Sequence, residues 1–313
     1  MSDTLHKFLF DAAPVRAEIV TLEATWQEVL RRRSYPRPIQ QMLGEMMAAA
    51  ALLSANLKFN GAMIMQLHGD GPVSLLVVEC NSDLSMRATA KYDESVAIGA
   101  DTPLSDLINR HGKGRFAITL DPKDKMPGQT AYQGIVPLVD EHQQPLQSIA
   151  QILELYMAQS EQLETRLILT SNSMRAAGLL LQKIPTEGGQ LNTVVDADTW
   201  NRVNQLAQTV KQEELLQLNA EAIAHRLFWQ EPAQSSEPGK PHFACSCSRQ
   251  RVASMLKMLG MAEIEGLLEE RGSVEINCDF CNQRYEFDAV DCAQLFSTIT
   301  LTEGVASPQT QRH

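Results

Sequence analysis

No stretch of this chain stays apolar long enough to cross a bilayer. The longest such run, residues 46–53, falls far short of the roughly 20 residues a membrane span needs. The opening, MSDTLHKFLFDAAPVRAEIV, has no basic start leading into an apolar stretch, because Asp11, Arg16 and Glu18 interrupt it; a secretory signal is therefore not expected. A basic excess is missing too. The 313 residues carry a net charge of −11, whereas proteins that bind phosphate backbones usually present a basic patch. There is no phosphate-loop motif of the Gly-x4-Gly-Lys-Ser/Thr kind, and Gly69-Asp70-Gly71-Pro72 reads as a hairpin turn. The seven histidines are scattered, no Ser/His/Asp arrangement follows from spacing, and no repeat of solenoid period occurs. These absences point to a soluble cytoplasmic protein that is neither a membrane nor a nucleic-acid binder.

Cysteine is scarce as well, six in all, yet four of the six fall in two tight pairs. One pair is Cys245-Ser246-Cys247 and the other is Cys278-Asp279-Phe280-Cys281. The cytosol keeps thiols reduced, so such pairs suggest a metal site or a redox device rather than a disulfide framework. Two short-spaced pairs separated by a longer insertion are the pattern of four-coordinate zinc, with Cys245, Cys247, Cys278 and Cys281 as ligands. The local sequence supports it: VEIN reads as a strand, CDFC as a tight turn and QRYEFD as the return strand, while the insertion reads as two short helices broken at Gly260. His242 is close enough to compete as a ligand, but with four thiols at hand it is expected to be a linker residue.

About 150 residues per domain predicts two domains and a small third unit. Residues 1–185 read as an α+β domain with a largely antiparallel sheet. Residues 37–58 are Ala-rich with apolar residues at helical spacing. Residues 61–92 read as three antiparallel strands, the last alternating Leu84, Met86, Ala88, Ala90 and Tyr92 on one face. Residues 114–121 and 130–138 read as a hairpin, Ser148 with Gln151 as a capping box before a helix, and 165–170 as a further strand. Residues 186–240 read as a metastable helical linker region: 196–230 is helical by composition but diluted by Gln, Asn and Glu, and 231–242 is a Pro/Ser/Gly linker. Residues 241–300 form the small C-terminal zinc domain and 301–313 a tail.

Residues 241–300 hold five basic against nine acidic side chains, a balance of −4 before any thiolate is counted. Four thiolates on one zinc bring the site's own charge near −2, and thiolate is the form that oxidants attack. A unit of about sixty residues has little core of its own, and small zinc domains draw on the order of 10 kcal/mol or more of folding energy from the metal. Peroxide or hypochlorous acid is therefore expected to release zinc and unfold the segment. If the neighbouring region 196–230 comes loose as a result, Trp200, Leu215, Leu227, Phe228 and Trp229 become exposed as candidate client-binding residues, together with the surface they covered.

With CSC at 245–247 and CDFC at 278–281, and with MLGEMMAAAALLSANLKFNG (42–61), LHGDGPV (67–73) and AAGLLLQKIP (176–185), the chain resembles the redox-regulated bacterial heat-shock chaperones of thirty-three kilodaltons, which are holdases. The resemblance spans all but the residues after about 300. It implies a chaperone that uses no ATP, inactive when reduced and zinc-bound. When oxidised it carries Cys245–Cys247 and Cys278–Cys281 disulfides, forms a homodimer and holds unfolding proteins. A bond across the single residue Ser246 closes a very small ring and is expected to be strained and readily reduced. Two other functions compete. A thiol–disulfide oxidoreductase would use Cys278 and Cys281, but that pair follows a strand instead of opening a helix. A zinc-ribbon RNA module is opposed by the −4 balance. The bland expectations are that Cys80, Cys292, Met42, Met46, Met63 and Met65 are core, and that the acidic run 263–270 is a solvated helix face.

Overall fold

The computed structural model describes residues 3–57, 59–125, 128–185 and 198–297. The tail 301–313 and the start of the expected linker region, 186–197, lie outside the described residues. The chain divides into two compact units, up to Ala244 and from Cys245 onward.

The first unit begins β1 (Thr4–Phe10), β2 (Val15–Leu22), α1 (Ala24–Arg32), α2 (Arg37–Ser54), β3 (Gly61–His68), β4 (Val73–Asn81) and β5 (Ser85–Tyr92). It continues α3 (Leu104–Ile108), β6 (Arg115–Pro122), β7 (Tyr132–Pro137), α4 (Ile149–Gln159), β8 (Thr165–Ser171) and β9 (Ala176–Lys183). It closes with α5 (Thr199–Ala207), α6 (Gln212–Gln217), α7 (Ala220–Phe228), β10 (Ala233–Ser235) and β11 (His242–Phe243). The strands form two sheets, β10-β1-β2-β9-β8 and β11-β5-β4-β3-β6-β7, antiparallel except for the β11–β5 pair. The α+β class with antiparallel sheets is as expected.

From Met42 to Leu53 helix α2 is apolar on every side except at Glu45, and a helix of that kind must be covered on all sides. It packs against strands of both sheets, and Ile39, Leu43, Met46, Met47 and Leu52 are completely buried. Glycine at 44 lets α2 approach β8: a Cβ there would stand 2.5 Å from Ser171 Cβ. Met42, Met63, Met65 and Cys80 are core, as expected. The Ser148 hydroxyl accepts from Gln151 N at 3.2 Å, while Gln151 Oε1 reaches back to Gln147 N at 2.7 Å, one residue beyond the cap.

The opposite face of the five-stranded sheet carries a second core. Val15, Ala17 and Ile19 of β2 and Ala177, Leu179 and Leu181 of β9 alternate with the residues facing α2. On them lie Val203 and Ala207 of α5, Leu215 of α6, and Ile223, Leu227 and Phe228 of α7. The Phe228 ring meets Phe10 edge-on, centroids 5.3 Å apart. The described part of the stretch 196–230, from 198 on, thus forms three short helices, with Asn219 capping α7 through a 2.8 Å bond from Ala222 N.

The segment expected to be a plain linker, 231–242, is structured in part. Ala233–Ser235 adds to the free edge of β1, Leu5 and Gly239 exchange backbone hydrogen bonds of 3.0 and 2.8 Å, and His242–Phe243 then joins β5. Its prolines suit an edge, where a missing N–H leaves no ladder partner unsatisfied. Among the described residues no helix is long and apolar enough to cross a membrane.

The second unit contains α8 (Arg249–Leu259), α9 (Met261–Arg271), β12 (Val274–Asn277), β13 (Arg284–Phe287) and α10 (Ala289–Ser297). The helix break falls at Gly260, whose φ of 92° only glycine adopts freely. Its core is small: Leu256, Ile264, Val274, Phe287 and Cys292 are buried, with half-buried neighbours such as Val252 and Leu268. The acidic residues of 263–270 are exposed.

Candidate metal centre

Each cysteine pair is presented by a local device. Cys245 and Cys247 lie in irregular chain that ends where Ser248 caps α8, its hydroxyl accepting from Arg251 N at 3.2 Å. The Arg251 guanidinium in turn donates to Ser246 O at 2.9 Å, pinning the residue between the two thiols. Cys278 and Cys281 sit on the turn between β12 and β13. Cys278 N donates to Gln283 O at 2.9 Å and Asn282 N to Cys278 O at 2.8 Å. Asn282 takes φ 58°, a left-handed conformation that asparagine tolerates better than most residues. Below the turn the hairpin pairs Ile276 with Tyr285 and Val274 with Phe287, which face the core. On the outer face Arg284 bridges the like-charged pair Glu275 and Glu286. Arg249 ties α8 to the hairpin, donating to Glu286 O at 2.7 Å and lying 4.2 Å over the Phe287 ring.

The result is a cluster in which the four sulfur atoms lie within 4.8 Å of one another. Cys245 Sγ is 3.7 Å from Cys278 Sγ, and Cys247 Sγ is 3.3 Å from Cys281 Sγ. Metal–sulfur bonds of about 2.3 Å in a tetrahedron put sulfurs about 3.8 Å apart, so the donor set fits one tetrahedral ion. The electrostatics agree. Burial, with the Cys245 thiol beside it, pushes the Cys278 thiol up, against the amides of Cys281 and Phe280 and the Cys281 thiol; burial and the three neighbouring thiols push Cys281 up, against the amide of Gln283. Four thiols this close resist ionising together, and a divalent cation among them removes that penalty.

The family model described as Hsp33 protein matches residues 3–288. The chain belongs to the Hsp33 family. It is similar over nearly its whole length to the 33 kDa chaperonin of Chromobacterium violaceum, 47% identical over 311 residues that cover 99% of this chain and 98% of that one. The 33 kDa chaperonin of Methylobacillus flagellatus is 45% identical over 305 residues, covering 97% of this chain and 98% of that protein. The crystal structure of the 33 kDa chaperonin from Thermotoga maritima matches with a TM-score of 0.78 over 96% of this chain and 99% of that one; at 19% identity the likeness is one of fold.

In this Hsp33-family chain the four motif cysteines converge, and His242 belongs to strand β11 with its Nδ1 3.3 Å from Lys240 O. Cys292 packs in the core of the second unit. The apolar residues singled out in 196–230 divide. Leu215, Leu227 and Phe228 are buried and Trp200 is half-buried under Lys183 Nζ, 5.3 Å from its ring. Trp229, expected to be covered, is instead 68% exposed, because α7 ends at Phe228 and the chain turns outward there. Sequence reasoning missed Tyr285, whose hydroxyl donates to Cys247 Sγ at 3.2 Å, an interaction that pushes its own pKa up to about 12. Only the hairpin register brings it there. Partners that hydrogen-bond to metal ligands are typically worth about 10–100-fold in metal affinity. Tyr285→Phe is therefore expected to weaken metal binding by about ten-fold, read by competition with a chromogenic chelator, while circular dichroism of the metal-loaded protein is unchanged.

Proposed function

We propose that this chain is a redox-regulated, ATP-independent holdase chaperone of the cytoplasm, not an enzyme. Zinc is the metal of the reduced, inactive form, because four thiolates without a nitrogen or oxygen donor are the ligand set of structural zinc. Oxidation removes two ligands for each disulfide formed, with a peroxide taking two electrons and leaving as water. The disulfides are Cys245–Cys247 and Cys278–Cys281, as in the chaperones the motif resembles. Released from its metal, residues 241–300 unfold. The metastable region 186–240 loosens next and uncovers the N-terminal domain, 1–185, to unfolding clients, and the oxidised chain forms a homodimer. Nucleic acid and membranes are not partners, in keeping with the acidic balance of the zinc domain.

The observation that carries this reading is the pairing of a four-thiol centre with a core that, among the described residues, has five buried members. Such a unit leans on its metal. The test is a peroxide titration at elevated temperature that follows zinc release, free thiols, helical circular dichroism and aggregation of a thermally unfolding client, with a peptide map of the disulfides. Zinc loss and protection of the client are expected to rise together and to reverse on reduction. An oxidised, zinc-free protein that leaves client aggregation unchanged would sink the proposal.

A further inference from the structure

A cavity of about 500 Å³ opens between α2, the loop before α3, the start of α4, and β8. Its walls are partly aliphatic, from Met42, Leu104, Leu167 and Leu169, and its rim is polar, with Thr102, Gln147 and Gln212. Within it sits Glu45, the one carboxylate of α2 and only 7% exposed. Glu45 Oε1 accepts from Gln41 Nε2 at 2.9 Å. Among the described residues its second carboxylate oxygen has no hydrogen-bond donor and no Lys, Arg or His pairs with it. A buried carboxylate without a counter-ion is costly, and native proteins usually supply one. Asp101, exposed at the rim, is the one other charged side chain in the lining; α4, β8 and α6 contribute none.

We propose that this cavity binds a small alkylammonium ion, its charge on the Glu45 carboxylate and its hydrocarbon stem along the leucine wall. The class follows from the lining. Two carboxyls and no cation repel anions, and the aliphatic wall favours a stem over a bare metal ion. Burial holds the Glu45 pKa up to about 7, so at pH 6 binding must first expel a proton.

The experiment uses the full-length, reduced, zinc-loaded protein and n-butylamine as the probe, with 1-butanol and sodium chloride at matched concentration as controls. At pH 8 a saturable rise in melting temperature is expected with the amine alone. Apparent affinity is expected to fall about ten-fold at pH 6, where a carboxyl of pKa near 7 is about one-tenth ionised. Glu45→Gln is expected to lose at least ten-fold in affinity. Because the folded pKa is raised, the carboxyl's contribution to stability is lost as pH rises through 7, so without ligand this variant melts no lower than the parent at pH 8. Ala150→Met, which fills the cavity and keeps both carboxyls, is expected to abolish binding and decides the matter should Glu45→Gln not fold. A shift shared by the controls, an affinity flat from pH 6 to 8, or binding retained in either variant would overturn the proposal.

Discussion

Cys278→Ser is expected to cost the protein its tightly held metal and to unfold residues 245–297 while the two-sheet unit stays native. Serine has nearly the shape of cysteine but does not ionise at neutral pH, so the change removes charge and leaves volume. Four-thiolate zinc contributes on the order of 10 kcal/mol or more to the folding of small units. Whole domains are stable by only about 5–15 kcal/mol. Among its described residues the second unit has five buried apolar side chains, so its packing cannot absorb even a large fraction of that loss. Hydrogen exchange followed by mass spectrometry is the measurement. Amides of α8, α9 and the β12–β13 hairpin should exchange like an unfolded chain, while those of β2, β9 and α2 keep their protection. Cys292→Ala, which trims the same small core without touching the sulfur cluster, is the matched comparison and should retain one metal per chain. If Cys278→Ser kept native protection through α8 and α9, the metal would not be what holds this unit together.

Where the sequence was legible, a single local rule decided the outcome. The pairs at 245–247 and 278–281 announced a four-sulfur site because two short-spaced pairs flanking a longer insertion are the pattern of a tetrahedral metal. Gly260 marked the helix break, and strict alternation from Met86 to Ala90 gave β5 and its buried face. The misses share a cause, which is that the deciding partner is remote. Strand β9 is buried on both faces, so it shows no alternation to read. The three residues Ala233–Ser235 look like linker by composition and become a strand only because β1 offers an unpaired edge. Tyr285 reaches Cys247 across 38 positions through hairpin register. Glu45 did leave a trace, a lone carboxylate in LGEMMAAAALL, but what it faces is set by α4 and β8, more than a hundred residues away.

Leu215→Asp should make the reduced, zinc-loaded protein a holdase without any oxidant. Leu215 is completely inaccessible in the cluster formed by α5–α7 and the outer face of the five-stranded sheet. An aspartate there has no cationic partner in that cluster, and burying an uncompensated charge costs several kcal/mol. The helices have little with which to resist. Each is nine residues or fewer, below the roughly 12–15 at which an isolated helix begins to hold in water. The cheapest response is for α5–α7 to leave the sheet, not for the sheet to unfold. Strands β2 and β9 remain fixed from the other side by α2, so what is uncovered is an ordered apolar strip running through Ile19, Leu179 and Leu181. A strip of that kind binds exposed apolar segments of other proteins. The expected result is suppression of client aggregation by the variant with its zinc still bound and its four thiols free, together with dye binding and rapid exchange confined to 199–228. Should the variant show that exchange and still fail to hold a client, the outer face of this sheet would not be the chaperone surface, and the four-thiol centre would have to act on some other part of the chain.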